Sequence, residues 1–260
     1  MAAIQRKSIA WRHKYILERL NKEGEIRVSD LCEALDVSPV TLRKDMKQLE
    51  ERKLLFRTHG SINLLNPYMT KDINVSEKEF IMVEEKRRIA QKASILIQDN
   101  DAIIIASGTT VLFLAKIIEE KRQLTVLTSA LNVAMTLCKK PNIEIIQLGG
   151  IVRKTSTSVN GPYAQQMLSQ FSCSKLFLGV DGLDLEYGCT TSNLMEANVN
   201  QGMIAAAQRT IVLADSSKFG RRGFGRICAF DKVHQIITDD KVSEKFVTAL
   251  ENMGVEMTIV

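Results

Sequence analysis

The sequence has no apolar run that approaches the roughly 20 residues needed to span a bilayer. Its first residues, MAAIQRKSIAWRHK, also lack the apolar core of a secretory signal peptide. These two absences predict a protein without a membrane partner that stays in the cytoplasm. With 260 residues, of which 45% are apolar and 25% are charged, the chain can bury one large hydrophobic core and a second, small one.

Residue types that bind metals or act as nucleophiles are scarce. The three histidines lie far apart, and none stands at a metal-ligand spacing from another histidine or from a cysteine. The cysteines are odd in number and include no CxxC pair, so we expect buried, reduced thiols at Cys32, Cys138, Cys173, Cys189 and Cys228. We therefore expect no catalytic residue, no metal and no cofactor.

Residues 28–60 show the pattern of two short helices joined by a tight polar turn. Ser29 is expected to cap a first helix that ends at Leu35, and Ser38 followed by Pro39 is expected to begin a second helix. On a helical wheel the second helix has an apolar side, which consists of Leu42, Met46 and Leu49. Its opposite, mostly basic side consists of Val40, Arg43, Lys44 and Lys47.

This geometry is typical of a helix-turn-helix whose second helix enters the major groove of double-stranded DNA. Arg43 or Lys44 is expected to contact guanine, and Lys47 a phosphate. Residues 54–64 alternate enough to form a hairpin that turns at Gly60, a wing against the DNA backbone or minor groove. The expected DNA-binding residues are Ser38, Val40, Thr41, Arg43, Lys44, Lys47, Arg57 and His59.

The charge distribution gives this hypothesis modest support. Residues 1–60 hold 13 Lys or Arg and 9 Asp or Glu, so that +4 of the formal charge of +5 lies in this part of the chain. A first helix over residues 9–22 and a short strand over residues 25–28 would complete a winged domain of three helices. Two alternatives stay open: a helical pair with a solvated basic face, and a winged helix that binds protein instead of DNA.

The rest of the chain alternates between helical and strand-like segments. Apolar, β-branched runs are expected as strands at residues 102–105, 124–127, 143–148, 175–180, 210–214, 234–238 and 256–260. Helices are expected at residues 84–98, 111–121, 131–138, 162–171, 192–207 and 243–252. Nearly continuous apolar strands between helices predict an α/β fold with an open, mostly parallel sheet covered on both faces. The predicted domains are residues 1–65 and 76–260, with a linker over residues 66–75.

Ligands of such sheets bind at the carboxyl ends of the strands. Polar or glycine-bearing segments follow several predicted strands here, and SGTT stands directly before a helix, an arrangement that suits a phosphate. Neither GxGxxG nor GxxxxGK[ST] occurs, which argues against a dinucleotide or a nucleoside triphosphate and favours a phosphorylated sugar or polyol. The expected effector-binding residues are Ser107, Gly108, Thr109, Thr110, Ser129, Gly149, Gly150, Arg153, Asp181, Asp184, Asp215 and Lys218.

Over essentially its whole length the chain resembles the DeoR family of bacterial transcriptional regulators. The matching positions of the first domain are Val37-Ser38, Thr41-Leu42-Arg43-Lys44-Asp45 and Arg57-Thr58-His59-Gly60. Those of the second domain are EEKRRIAQKA, SGTT, LGG, GVDGLD and LADSSKFG. The resemblance implies a sensor domain related in fold to ribose-5-phosphate isomerase. It also implies a homo-oligomer, a dimer or higher, that represses a sugar-catabolic operon until a phosphorylated sugar binds.

The sequence departs from the family pattern at three positions. Ala106 stands where an acid is common, Ser129 where an asparagine is common, and Ser61 where a second glycine is common. The first two positions belong to the expected effector pocket, and the third to the turn of the wing.

A second function also stays open, that of a sugar-phosphate isomerase with an accessory DNA-binding domain. Aldose-ketose exchange needs a base beside the carbon that loses its proton, and Asp181, Asp184 and Glu196 are the carboxylates available for it. The motifs that hold such acids in the isomerase are only partly reproduced in this chain, so the regulator is the favoured hypothesis.

Overall fold

The computed structural model describes residues 8–23, 25–52, 54–57, 61–64, 72–118 and 123–260. The chain divides into an N-terminal unit, residues 1–67, and a C-terminal unit, residues 68–260. No helix within the described ranges is long and apolar enough to cross a membrane. The domain boundaries stated above, with a linker over residues 66–75, stay a prediction.

In its described residues, the N-terminal unit consists of three helices and a small sheet. Its elements are α1 (Ile9–Glu23), β1 (Glu25–Arg27), α2 (Val28–Leu35), α3 (Pro39–Glu51), β2 (Leu55–Arg57) and β3 (Ser61–Leu64). The strands are antiparallel in the order β1-β3-β2, so that β2 and β3 form the predicted wing and β1 extends it. The turn of the wing at Gly60 lies outside the described residues.

The two helix starts of the helix-turn-helix differ in how well the sequence predicted them. Ser38 caps α3 as predicted, because its Oγ accepts the backbone N–H of Thr41 at 3.2 Å and Pro39 begins the helix. The predicted cap at Ser29 is wrong, since β1 runs directly into α2 and the cap position is Arg27, two residues earlier. The hydroxyl of Ser29 donates instead to Asp30 at 2.9 Å.

A buried ion pair crosses the apolar core of the N-terminal unit. The core consists of Ile16, Leu20, Ile26, Leu31, Leu35, Leu42, Met46, Leu49, Leu55 and Ile62. Asp45 of α3 is 3% exposed and is held by Arg12 of α1 through two hydrogen bonds, Nε to Oδ2 at 2.6 Å and Nη2 to Oδ1 at 2.9 Å. His13 Nε2 lies 3.6 Å from the same carboxylate. This pair fixes α1 against α3.

The C-terminal unit contains the remaining elements. These are α4 (Val75–Lys78), α5 (Val83–Ser94), β4 (Ala102–Ile105), α6 (Thr109–Ile117), β5 (Leu124–Thr128), α7 (Leu131–Leu137), β6 (Ile143–Gln147), β7 (Ile151–Arg153), β8 (Ser158–Asn160), α8 (Pro162–Leu168), β9 (Cys173–Gly179), β10 (Gly182–Asp184), β11 (Gly188–Thr191), α9 (Leu194–Ala205), β12 (Ala207–Leu213), β13 (Gly225–Cys228), β14 (Gln235–Thr238), α10 (Glu244–Asn252) and β15 (Glu256–Ile259).

Seven of these strands form one parallel sheet in the order β15-β14-β12-β9-β4-β5-β6. Successive residues of each strand point to opposite faces, and each face has its own buried apolar cluster. One cluster joins Ile104 and Leu176 to α8, α9 and α10, and the other joins Ile103 and Phe177 to α5, α6 and α7. The predicted α/β sheet with helices on both faces is confirmed.

The sequence did not predict several short strands. β7 and β8 form an antiparallel hairpin, and β10, β11 and β13 form a separate antiparallel sheet. Each of these strands has only three or four residues, which is too short for a clear alternation pattern.

The cysteines are all free, as predicted, but they are not all buried. Cys173 and Cys189 are buried, Cys32 and Cys228 are partly exposed, and Cys138 is exposed. The expectation for Cys138 is wrong because this residue follows the last residue of α7 on the side that faces solvent.

Lys86 of α5 is a buried cation at the N-terminal end of this helix. It is 2% exposed, and its Nζ donates to the backbone oxygen of Lys78 at 2.6 Å. Burial lowers the pKa of Lys86 to about 8; the carboxylate of Asp215 opposes this effect, and the charges of Lys218 and Lys78 add to it. The ammonium group thus links α5 to the end of α4.

Substitution of Arg12 by methionine should destabilise the N-terminal unit. The carboxylate of Asp45 would stay buried without its bidentate partner, a loss that typically costs about 3–5 kcal/mol. The single tryptophan, Trp11, reports the unfolding of this unit by fluorescence in denaturant titrations of the full chain. Lys14→Met, an exposed change on the same helix, is the control and should cost less than about 1 kcal/mol. Equal denaturation midpoints for the two variants would show that the Arg12–Asp45 ion pair does not stabilise the N-terminal unit.

Lys86→Met should change how stability depends on pH. The pKa of Lys86 is about 8 in the folded protein and near 10.5 when unperturbed, so between these values the unfolded chain binds a proton that the folded chain lacks. The free energy of unfolding of the wild type should therefore rise relative to that of Lys86→Met between pH 8 and pH 10.5, and run parallel to it below pH 8. Denaturant titrations across this range measure the difference, and Lys92→Met, an exposed change on α5, is the control.

Candidate functional site

A cavity opens at the carboxyl ends of β4 and β9, in the middle of the parallel sheet. The loops after these two strands, the end of β11, the start of α9 and the segment around α4 surround it. Its lining residues are Asp72, Ile73, Val75, Lys78, Ser107, Gly108, Thr109, Thr110, Arg153, Thr155, Ser156, Gly179, Val180, Asp181, Thr191, Ser192, Glu196 and Lys218. Most of these side chains are polar or charged, which suits a hydrophilic ligand.

One wall of the cavity is the turn from β4 into α6. Gly108 has a φ of 127°, a conformation that L side chains rarely adopt, and no side chain caps the helix that follows it. A Cβ atom on Gly179 would lie 2.8 Å from the backbone oxygen of Ser107, so the two strand ends meet this closely only with glycine there. The uncapped N–H groups and the positive end of the helix dipole therefore face the cavity and can bind an anion.

Three cations line the cavity, and they differ in their partners. Lys78 Nζ donates to Asp181 Oδ1 at 2.7 Å. Arg153 pairs with Asp72 and lies 3.6 Å from Glu196 Oε2. Among the described residues the side-chain ammonium of Lys218 makes no hydrogen bond and no ion pair, although the backbone N–H of this residue donates to the oxygen of Asp215 at 3.0 Å. It is thus the cation that a ligand can engage without displacing another group.

Two carboxylates in the cavity have shifted pKa values in opposite directions. Burial would raise the pKa of Asp181, but the charges of Lys78 and Lys218 and hydrogen bonds from Lys78 and the Ser192 N–H hold it well below its usual value. Burial raises the pKa of Glu196; the hydrogen bond from Ser107 Oγ at 2.7 Å opposes this shift, and the charge of Asp181 reinforces it. Asp181 accepts hydrogen bonds from three donors, and the carboxylate of Glu196 accepts one from Ser107.

The structure brings seven of the twelve predicted effector residues into this cavity. They are Ser107, Gly108, Thr109, Thr110, Arg153, Asp181 and Lys218. All of them lie at or just beyond strand ends or helix starts, which is why the strand-end rule found them.

Two of the predicted acids do not line the cavity. Asp184 ends β10 and pairs with Arg222 at 2.8 Å. Asp215 is buried, and its Oδ1 accepts the backbone N–H of Ser217 at 3.1 Å within the turn that follows β12. Both carboxylates are used for local structure.

Three small residues also lie elsewhere. Ser129 is buried, and its backbone oxygen accepts the N–H of Val159 at 2.8 Å. The N–H of Gly149 faces the sulfur of Met167 at 3.2 Å, and a Cβ atom on Gly150 would lie 2.6 Å from the backbone oxygen of Asn160. These residues pack the hairpin β7–β8 and α8 against the sheet. Ala106, the other departure from the family pattern, is buried and also lies outside the cavity lining.

Several lining residues were not predicted as effector contacts. Asp72 and Lys78 come from a segment without periodicity, and Thr191 and Ser192 from the end of the short strand β11. Glu196 was considered only as a carboxylate of the alternative isomerase. The cap signal at Asn193, whose side chain accepts the N–H of Glu196 at 3.1 Å, would have placed Glu196 in the first turn of α9.

In the N-terminal unit, the predicted DNA-binding side of α3 faces solvent. Arg43, Lys44 and Lys47 are exposed, and only Lys47 has a charged neighbour, Glu51 at 3.9 Å, among the described residues. Ser38 and Val40 are also exposed, and Thr41 is partly exposed. Arg57 pairs with Ile62 in the wing, and His59 lies outside the described residues. Contact with DNA stays a prediction for all of these residues.

Comparison with known proteins gives matches to both units. Residues 12–67 match the DeoR-like helix-turn-helix domain, and residues 81–240 match the DeoR C terminal sensor domain. A solved ribose 5-phosphate isomerase from Plasmodium falciparum aligns with 53% of this chain and 53% of its own, at 16% identity and a TM-score of 0.40, a likeness too weak to support a conclusion.

Relatives cover nearly the whole chain. The uncharacterized HTH-type transcriptional regulator YulB of Bacillus subtilis (strain 168) is 36% identical over 252 residues, 97% of either chain. A putative aga operon transcriptional repressor of Escherichia coli O157:H7 is 34% identical over 96% of this chain and 93% of its own. A lactose phosphotransferase system repressor of Staphylococcus epidermidis is 34% identical over 88% of this chain and 92% of its own. The resemblance predicted from the sequence is confirmed, and the chain belongs to the DeoR family of transcriptional regulators.

Proposed function

We propose that this DeoR-family regulator represses a sugar-utilisation operon and that a phosphorylated sugar, bound in the cavity of the C-terminal unit, weakens its binding to operator DNA. It acts in the cytoplasm as a homo-oligomer and has no catalytic turnover. The observation that carries the proposal is the presence, in one cavity, of an uncapped helix start, a lysine whose ammonium has no partner among the described residues, and the carboxylate of Asp181.

The phosphate of the ligand is assigned to the α6 end of the cavity. The N–H groups after Gly108 and the hydroxyls of Ser107, Thr109 and Thr110 offer donors there, and Lys218 supplies a positive charge. An anion bound by a helix start gains from the dipole and from directed hydrogen bonds together. An uncharged sugar would interact more weakly with the helix dipole and would form weaker hydrogen bonds with these donors.

The sugar hydroxyls are assigned to the opposite side. Asp181 and Glu196 accept hydrogen bonds, and Arg153 donates from its place beside Asp72. Each of these groups already has a partner within the protein, so a sugar has to replace their present hydrogen bonds with equivalent ones. Such a site discriminates strongly against analogues that lack a hydroxyl, because the unmatched group stays buried and unpaired.

The names of two relatives support the regulatory part of the proposal. One is a putative repressor of the aga operon, and another is the repressor of a lactose phosphotransferase system. The effector acts by population shift: it weakens DNA binding only by its differential affinity for the two states of the oligomer. In a dimer the two recognition helices would contact half-sites about one helical turn apart.

The isomerase alternative fits the cavity less well. Of its three carboxylates, Asp184 lies outside the cavity and Asp181 is held as a low-pKa acceptor by Lys78, Thr191 and Ser192. Only Glu196, whose pKa burial raises, has the properties of a general base. A coupled assay for turnover of pentose and hexose phosphates separates the two functions, and measurable turnover would favour the enzyme.

The double variant Arg43→Ala with Lys44→Ala should lose specific DNA binding. Each lost base contact should weaken binding by about 1–3 kcal/mol. Gel-shift titrations against a fragment selected from genomic DNA by the wild type measure this loss. Lys14→Ala, an exposed change on α1, is the control and should leave specificity intact. DNA retention equal to that of the control would favour the protein-binding winged helix.

Phosphorylated sugars should reduce operator affinity in the same gel-shift assay, whereas their unphosphorylated counterparts should not. Lys218→Met removes the unpaired cation and should weaken binding of the active sugar phosphate by about 1.5–3 kcal/mol in calorimetric titrations, the usual worth of a hydrogen bond to a charged group. Lys245→Met, an exposed change on α10, is the control. If no member of a panel of pentose and hexose phosphates changes operator affinity, the effector class proposed here is wrong.

A further inference from the structure

Two cysteine thiols face each other across an antiparallel strand pair in the C-terminal unit. Cys189 of β11 stands directly opposite Cys228 of β13. Residues in such positions have their Cα atoms about 4.5–5.5 Å apart and their side chains on the same face of the sheet. Disulfides form at Cα separations of about 4.4–6.8 Å, so the backbone already holds these residues within range.

The pairing of β11 with β13 is irregular next to the two cysteines. After Cys189 the register shifts, because Thr190 pairs with Arg226 and Ile227 is left as the extra residue of a bulge. A bulge bends the strand and interrupts the ladder of hydrogen bonds. The small adjustment that brings two thiol sulfurs into bonding distance is therefore easier here than in a regular ladder.

The two thiols are chemically unequal. Cys189 is fully buried, whereas Cys228 is partly exposed. The hydrogen bond from the Cys189 thiol lowers the pKa of Cys228; burial and the charge of Asp231 oppose this effect, and Arg226 and Lys232 add to it. The same hydrogen bond, together with burial, raises the pKa of Cys189. Cys228 is thus the nucleophile of the pair and Cys189 the resolving thiol.

We propose that Cys189 and Cys228 form a redox-responsive pair that a peroxide converts to a disulfide. The Cys228 thiolate attacks one peroxide oxygen, the O–O bond breaks, and the leaving oxygen takes a proton, which gives a sulfenic acid on Cys228. The Cys189 sulfur then attacks the Cys228 sulfur and the S–O bond breaks. The departing hydroxide takes the Cys189 proton and leaves as water.

The disulfide would tie β11 to β13 beside the cavity. Two residues after Cys189 on β11, the Thr191 hydroxyl donates to Asp181 at 3.1 Å, and the next N–H, that of Ser192, donates to the same carboxylate at 2.9 Å. The thiol pair therefore lies on a strand that forms part of the cavity wall. Its oxidation needs no ligand in the cavity and is independent of the function proposed above.

The test uses the full chain in a Cys138→Ser background, because Cys138 is exposed and would react on its own. This background leaves four of the five thiols. After reduction, removal of the reductant and treatment with hydrogen peroxide, titration under denaturing conditions should find two free thiols. Peptide mass spectrometry without reduction should find a cross-link between the peptides of Cys189 and Cys228. Four remaining thiols, or a cross-link between other cysteines, would overturn the proposal.

A second variant tests the assigned order of the two thiols. Cys189→Ala in the same background removes the resolving thiol, so the sulfenic acid on Cys228 should persist and be trapped by dimedone. The parent protein should yield little of this adduct. An equal yield of the Cys228 adduct with and without Cys189 would show that Cys189 does not resolve it and would refute the pair. Because the parent experiment involves no change at the pair, the proposal stays testable even if Cys189→Ala folds poorly.

Discussion

The carboxylate of Asp181 is the group on which the geometry of the candidate site depends. It lies at the carboxyl end of β9 and receives hydrogen bonds from Lys78, Thr191 and Ser192, which come from two other segments of the C-terminal unit. A carboxylate in this position tolerates burial only because several donors and two cations compensate for its lost hydration. These hydrogen bonds therefore hold the end of α4 and the end of β11 next to the end of β9. The cavity is the space that remains between these segments and the start of α6.

The sequence predicted those parts of the candidate site that depend on residues adjacent in the chain. The run Ala102–Ile105 followed by SGTT predicted a strand end with an anion-binding turn, because the β-branched period and the glycine are adjacent in the chain. Lys78 was not predicted, since it meets Asp181 across 103 residues of sequence and its own segment has no periodicity. The pattern GVDGLD offered two equivalent acids. Asp184 serves structure because it accepts hydrogen bonds from Arg222, 38 residues away, and from the backbone N–H groups of Glu186 and Tyr187.

The core of the N-terminal unit also contains a contact between distant residues that the local sequence pattern did not predict. The wheel of α3 correctly placed Leu42, Met46 and Leu49 inside, but it gave no reason to bury Asp45 among them. That requires Arg12, 33 residues earlier, to meet the carboxylate with two nitrogens. A buried pair of this kind adds little net stability compared with apolar residues of the same size, because both charges lose their hydration. We infer that its role is to fix how α1 packs on α3, and hence which side of α3 stays exposed.

The pairing of charges within the cavity also limits how a ligand can act. In the state described here the cations Lys78 and Arg153 already have carboxylate partners, so a sugar that contacts Asp181 or Glu196 exchanges hydrogen bonds instead of simply adding them. Such an exchange would release Lys78 and Asp72 from their present partners, Asp181 and Arg153. The exchange can shift the protein between two arrangements only as far as the ligand binds one of them more tightly than the other.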